Sequence, residues 1–161
     1  MPFGVSRAIY ILTWADILIV SAYSFIMPLF AVFVTGQIVG AGVTTVGFYT
    51  AIYWIVKSIV QVPVAWFLDK KEGEADEFYA LIIGYFIAAL VAFGYIFASN
   101  VWHIYLLGGI LGMADALGVP SYLSIFSRHL DKARENTEWT MRSVGVGFTA
   151  AGAGALAGIL V

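Results

Sequence analysis

The chain has no cysteine, which excludes disulfides, iron-sulfur ligation and thiol chemistry together. Charge is nearly as scarce: 11% of its 161 residues are Asp, Glu, Lys or Arg, against roughly a quarter in soluble domains. A soluble domain is excluded on that ground. The two histidines, His103 and His129, stand too far apart for a metal-ligand pair, so no metal and no cofactor is expected. Eight basic against ten acidic residues leave a formal charge of -2, which argues against a nucleic-acid partner. The sequence also lacks Gly-x-Ser-x-Gly, His-Glu-x-x-His and clustered aspartates, so an enzyme is not expected.

What the chain has instead is apolar length. Hydrophobic residues make up 61% of it, and its mean hydropathy is +0.92. A bilayer core about 30 Å thick needs about 20 apolar helical residues, and five stretches supply them: 12–34, 44–67, 79–98, 102–126 and 141–161. Each is too long for a barrel strand and lacks strict alternation. The expected fold is all-α, a polytopic transmembrane helix bundle of five spans in one membrane domain. A cleaved signal in place of the first span is disfavoured, because Asp16 interrupts its apolar core and the run continues through Val34.

Basic residues set the orientation. Arg7, Lys70, Lys71, Arg128, Lys132, Arg134 and Arg142 all fall on the N-terminal side of the five-span arrangement, and the opposite loops contain neither Lys nor Arg. The N-terminus is therefore expected in the cytoplasm, with the protein integral to the plasma (inner) membrane and the lipid bilayer as its surroundings.

Ionisable groups within spans are costly and usually face a cavity or a partner. Asp16, Lys57 and Asp115 are such groups. By helix rise Lys57 and Asp115 both fall within a few ångströms of mid-membrane, whereas Asp16 lies roughly 10 Å toward the cytoplasm. Positions three, four and seven apart share a helical face. Thr50, Tyr53, Lys57 and Gln61 therefore form a polar stripe on the second span, and Tyr105, Gly108, Gly112, Asp115 and Tyr122 form one on the fourth. The glycines are expected to leave room beside the Asp115 carboxylate. Spans one, two and four should line a polar path, and the third, without charge, should face lipid. Lys57 is expected to pair with Asp115, with Asp16 as the competing partner. Pro28, Pro63 and Pro120 interrupt three spans and should kink them. Gly145, Gly147, Gly152, Gly154 and Gly158 give the fifth a small-residue packing face.

At the cytoplasmic exit of the second span stands Ala65-Trp66-Phe67-Leu68-Asp69-Lys70-Lys71-Glu72-Gly73. This segment, with the span arrangement, resembles the N-terminal half of a major facilitator superfamily transporter through its fifth helix. Asp69 and Lys70 match the family's loop between helices two and three. Ala65 replaces its first glycine, Gly73 falls one place late, and Glu72, Glu74, Asp76 and Glu77 stand where basic residues are usual. The coupling arginine often found in the fourth helix would fall near Gly108 and is absent, as is the Gly-Pro pair of the fifth.

The resemblance implies secondary active transport of a small solute by alternating access, with Asp69 and Lys70 at a cytoplasmic gate. Lys57, Asp115, Asp16, Gln61 and Tyr53 would line the substrate or ion path. Coupling to protons or another ion would be part of such a mechanism. A lysine in the path suits an anion and the aspartates suit a cation or proton, and sequence does not rank them. Because such transporters have two six-helix halves, the chain is expected to be a fragment whose C-terminal half is the missing partner. The alternative is a non-transporting membrane interaction or scaffold subunit that binds another helix through the fifth span.

Orientation is open to a direct check, since the chain has no native cysteine. On intact cells an impermeant maleimide should label Gly40→Cys and spare Glu74→Cys. The reverse pattern would invert the topology.

Overall fold

The computed structural model describes residues 6–70 and 73–160. Lys71 and Glu72 of the loop motif, and Val161 at the end of the expected fifth span, lie outside the described residues. Five α-helices follow in order: α1 (Arg7–Gln37), α2 (Val43–Asp69), α3 (Ala75–Gly94), α4 (Val101–His129) and α5 (Glu135–Leu160). A 3-10 turn over Tyr95–Phe97 prolongs α3. All five are long and apolar enough to cross a membrane. The described residues contain no strand, only an isolated bridge between Val39 and Asn100.

The helices outrun the apolar stretches, mostly at the ends assigned to the cytoplasm. Residues 75–77 and 135–139, expected in loops, are helical. Local chemistry explains this, because a polar turn can remain helical past the hydrocarbon when its end groups are satisfied. The Ser6 hydroxyl accepts the Ile9 N–H at 3.2 Å to start α1. Asp76 and Glu77 open α3, Glu135 and Glu138 open α5, and Arg128 and His129 close α4. Each set has the sign that the helix dipole favours at that end. At the other ends, Thr45 Oγ1 accepts the Gly42 N–H at 3.1 Å and Asn100 Oδ1 accepts the His103 N–H at 3.2 Å. The helices continue through Pro28, Pro63 and Pro120.

The chain divides into two compact units, with boundaries inside α1 after Val32 and inside α4 before Phe126. In the unit from Phe33 to Ile125, α2 and α4 run parallel and meet through glycine. A Cβ on Gly108 would lie 2.6 Å from the Tyr49 ring, and one on Gly112 would lie 2.6 Å from the Tyr53 carbonyl oxygen and 3.2 Å from the Lys57 nitrogen. The room expected beside Asp115 is thus taken up by the α2 backbone. The α3 helix runs antiparallel to α4: a Cβ on Gly84 would lie 2.6 Å from the Ala114 carbonyl oxygen, and one on Gly94 would lie 2.7 Å from Leu107.

The third apolar stretch, 79–98, is free of charge, but its helix starts earlier and carries Asp76 and Glu77 in its first turn. Glu77, in the first turn of α3, is 2% exposed, and Oε1 accepts the Ser124 hydroxyl of α4 at 2.8 Å. One face of α3, with Ala80, Leu81, Gly84 and Val91, is packed. The exposed face carries Ile82, Ile83, Phe86, Leu90 and Phe93, as contact with hydrocarbon requires.

In the other unit, α5 runs parallel to α1. A Cβ on Gly145 would lie 2.8 Å from Ile17, and one on Gly154 would lie 3.7 Å from the Ser24 carbonyl oxygen, the acceptor that Pro28 deprives of its helical donor. Gly147, Gly152 and Gly158 meet nothing within 4 Å. The small-residue face therefore packs on α1 at two of its five positions.

Gly40 adopts φ +76° in the turn between α1 and α2, where a side chain is strained. Val39, 81% exposed, is the better cysteine position in that loop.

Glycine contacts of different kinds predict different costs. Gly112→Ala and Gly84→Ala place a methyl against backbone, which cannot retreat, and should each lower stability in detergent by about 1–3 kcal/mol. Gly147→Ala, in open space, should be neutral or mildly stabilising. Thermal melts that rank the three alike would show that the close crossings do not hold the helices.

Candidate functional site

Lys57 is the fifteenth residue of α2, counted from Val43, and Asp115 the fifteenth of α4, counted from Val101. Since the two helices run parallel and touch at Gly112, equal depth becomes contact: Lys57 Nζ lies 3.6 Å from Asp115 Oδ2. Their side chains are 11% and 16% exposed. Tyr53, one turn before Lys57, joins them. Its hydroxyl donates to Asp115 Oδ2 and accepts from Lys57 Nζ at 3.2 Å. The ammonium also stands 5.0 Å from the centre of the Trp54 ring and 5.4 Å from that of Tyr53, within the range of cation-π attraction. The two rings meet edge to face at 5.3 Å. A carboxylate, the Tyr53 hydroxyl and the Trp54 ring thus surround one cation, and the cluster is neutral overall.

Gln61 lies one turn beyond Lys57 on α2 and is half-buried. Asp69 and Lys70 are exposed at the end of α2, where the Lys70 ammonium sits 3.1 Å from the centre of the Trp66 ring. They stand apart from the Tyr53, Lys57 and Asp115 cluster.

Asp16 has a different partner from the one weighed for it. Its Oδ2 lies 2.7 Å from a terminal nitrogen of Arg142 on α5, with side-chain exposures of 9% for Asp16 and 22% for Arg142. The guanidinium carbon stands 5.6 Å from the centre of the Trp139 ring and 6.0 Å from that of Phe126, and those rings pack at 4.6 Å. From sequence Arg142, a basic residue near the start of the expected fifth span, reads as an orientation signal; the packing of α5 on α1 makes it the partner of Asp16. Glu138 is buried and accepts the Asp131 N–H at 3.1 Å, which ties the α4–α5 loop to the first turn of α5. Sequence places Glu77 and Glu138 in polar loop segments, and only the helical start of α3 and α5 brings them into buried positions.

Among the described residues no group of three or more His, Asp or Glu could hold a metal ion. An open groove of about 580 Å³ along α5, lined by Asn136, Thr137, Thr140, Met141, Val144 and Gly145, carries no titratable side chain.

The fold and the cluster together define a class: a polytopic α-helical chain with membrane-spanning dimensions and a charge-compensated polar cluster midway along two of its helices. No family model, no curated protein and no solved structure matches the chain.

Removing one member of either ion pair leaves a buried charge uncompensated, so Lys57→Ala, Asp115→Ala, Asp16→Ala and Arg142→Ala should each cost about 3–5 kcal/mol. In double-mutant cycles on the detergent-solubilised protein, Lys57 with Asp115 and Asp16 with Arg142 should couple by about 0.5–3 kcal/mol. Lys57 with Asp16 should be additive. Coupling of Lys57 to Asp16 in place of Asp115 would overturn this assignment.

Proposed function

We propose that the protein is a secondary active transporter of a small solute, working by alternating access in the plasma (inner) membrane with its N-terminus in the cytoplasm. The observation that carries this reading is the Tyr53, Lys57 and Asp115 network at the midpoint of α2 and α4. Charges at that depth are expensive, and packing alone gives no reason to keep them. A polar site near the midplane is where transporters hold substrate or coupling ion. Tyr53, Lys57, Asp115 and Gln61 are assigned to that path. The pair Asp69 and Lys70, in the segment that resembles the major facilitator loop, is assigned to the cytoplasmic gate.

Asp16 is assigned to the same unit of function through its ion pair with Arg142. That pair is short and shielded by Phe126 and Trp139, so its part is to hold α5 on α1 while the path changes shape. The competing reading, a scaffold subunit, draws on the open positions Gly147, Gly152 and Gly158 on α5. It assigns no task to the midplane charges.

The two readings separate in proteoliposomes carrying the product of the complete reading frame and loaded with a pH-sensitive dye. Challenged with small ammonium and carboxylate solutes under an imposed proton gradient, the protein should give saturable flux. The combined Lys57→Met and Asp115→Leu variant, which removes both charges at once, should retain helical circular dichroism and lose the flux. Flux no greater than in empty vesicles for the unaltered protein would favour the scaffold subunit.

A further inference from the structure

The partners of Lys57 rank the two substrate classes that its charge and that of Asp115 leave open. Everything fixed in the cluster is electron-rich: the Asp115 carboxylate, the Tyr53 hydroxyl and the Trp54 ring. Aromatic faces attract cations through their quadrupole. The single cation present is the most mobile part, since an ammonium on a four-carbon stem reorients readily. Its hold is loose as well, because 3.6 Å to Asp115 Oδ2 exceeds the roughly 2.7–2.9 Å of a direct charge-assisted bond.

Asp115, by contrast, has a short stem and is fastened by the tyrosine hydroxyl. An incoming anion would meet the carboxylate and the Trp54 ring. An incoming ammonium could take the place of the Lys57 ammonium. Trp54, 55% exposed, forms the open side of the box, and Gln61 offers the withdrawn ammonium a polar neighbour one turn along α2.

We infer that Tyr53, Trp54 and Asp115 form a binding site for small organic cations of the alkylammonium class, and that the Lys57 ammonium is a tethered competitor occupying it at rest. Use of the site in transport rests on the function proposed above, whereas binding itself does not. Ligand entry expels the lysine, which leaves the carboxylate compensated throughout and frees one positive charge for each cation bound. The apparent affinity of the unaltered protein is the intrinsic affinity multiplied by the fraction of molecules whose lysine is already withdrawn.

The test is calorimetric titration of the detergent-solubilised chain with tetramethylammonium, with methanesulfonate as the anionic counterpart. Lys57→Met keeps most of the stem and removes the competitor, so it should bind tetramethylammonium about tenfold more tightly or better. Adding Asp115→Asn to that background should return binding to baseline. Methanesulfonate should bind neither form. Unchanged or weaker cation binding in Lys57→Met overturns the inference, as does methanesulfonate binding that depends on Lys57.

Should Lys57→Met lose its helical signal, Trp54→Leu decides: cation binding weaker than in the unaltered protein supports the site, and equal binding overturns it. Cation binding by a protein whose proteoliposomes carry no flux would remove the transport reading and leave the site standing. Flux without cation binding would do the reverse.

Discussion

A charge on a membrane-spanning helix must find its counter-charge on a neighbouring helix, and that constraint organises this protein. Hydrocarbon offers no solvation, so the partner has to come within a few ångströms. Within reach means close helix approach, and close approach means glycine at the crossing. Gly112, where α4 meets the α2 backbone, lies one turn from Asp115 and brings Lys57 to it. Gly145 admits Ile17 next to Asp16, while Arg142, three residues before Gly145, completes the pair. The two ion pairs and the glycine crossings beside them are therefore one design used twice, once in each unit.

The two pairs differ in ways that matter for what each can do. Arg142 presents a planar fork, always charged, at 2.7 Å from Asp16 and close to two aromatic rings; such a pair is costly to break and resists exchange. Lys57 approaches Asp115 only to 3.6 Å, with a phenol hydroxyl bonded to both. A hydroxyl that donates to one ion and accepts from the other lets the ions part without leaving either bare. The first pair suits fastening, and the second suits exchange.

Much of this was legible in the sequence, for reasons that also mark where legibility ends. Five apolar runs of membrane length give five helices, because in hydrocarbon an unpaired backbone has no other solution. The ends are harder to place: residues 135–139 and 75–77 are helical outside the apolar runs, since dipole-matched acidic residues extend a helix start into water without any apolar signal. Equal depth was enough to bring Lys57 and Asp115 together, because parallel helices in register turn depth into proximity. Asp16 defeated the same reasoning. Its partner Arg142 sits near the start of α5, where a basic residue reads as an orientation signal, and the pairing depends on which helix α5 packs against.

Glycine is where sequence and structure differ most instructively. In a one-dimensional reading, Gly108 and Gly112 beside a carboxylate suggest empty space for solute. In three dimensions the missing side chains admit the Tyr49 ring and the Tyr53 carbonyl instead, and the helices close. The polar stripe on α4 is therefore partly consumed in binding α2 through Gly108 and Gly112. Trp54, 55% exposed, is the exposed member of the Lys57 cluster. On the cation-binding proposal above, the Trp54 ring, which attracts cations through its quadrupole, would be the selective surface of the cluster.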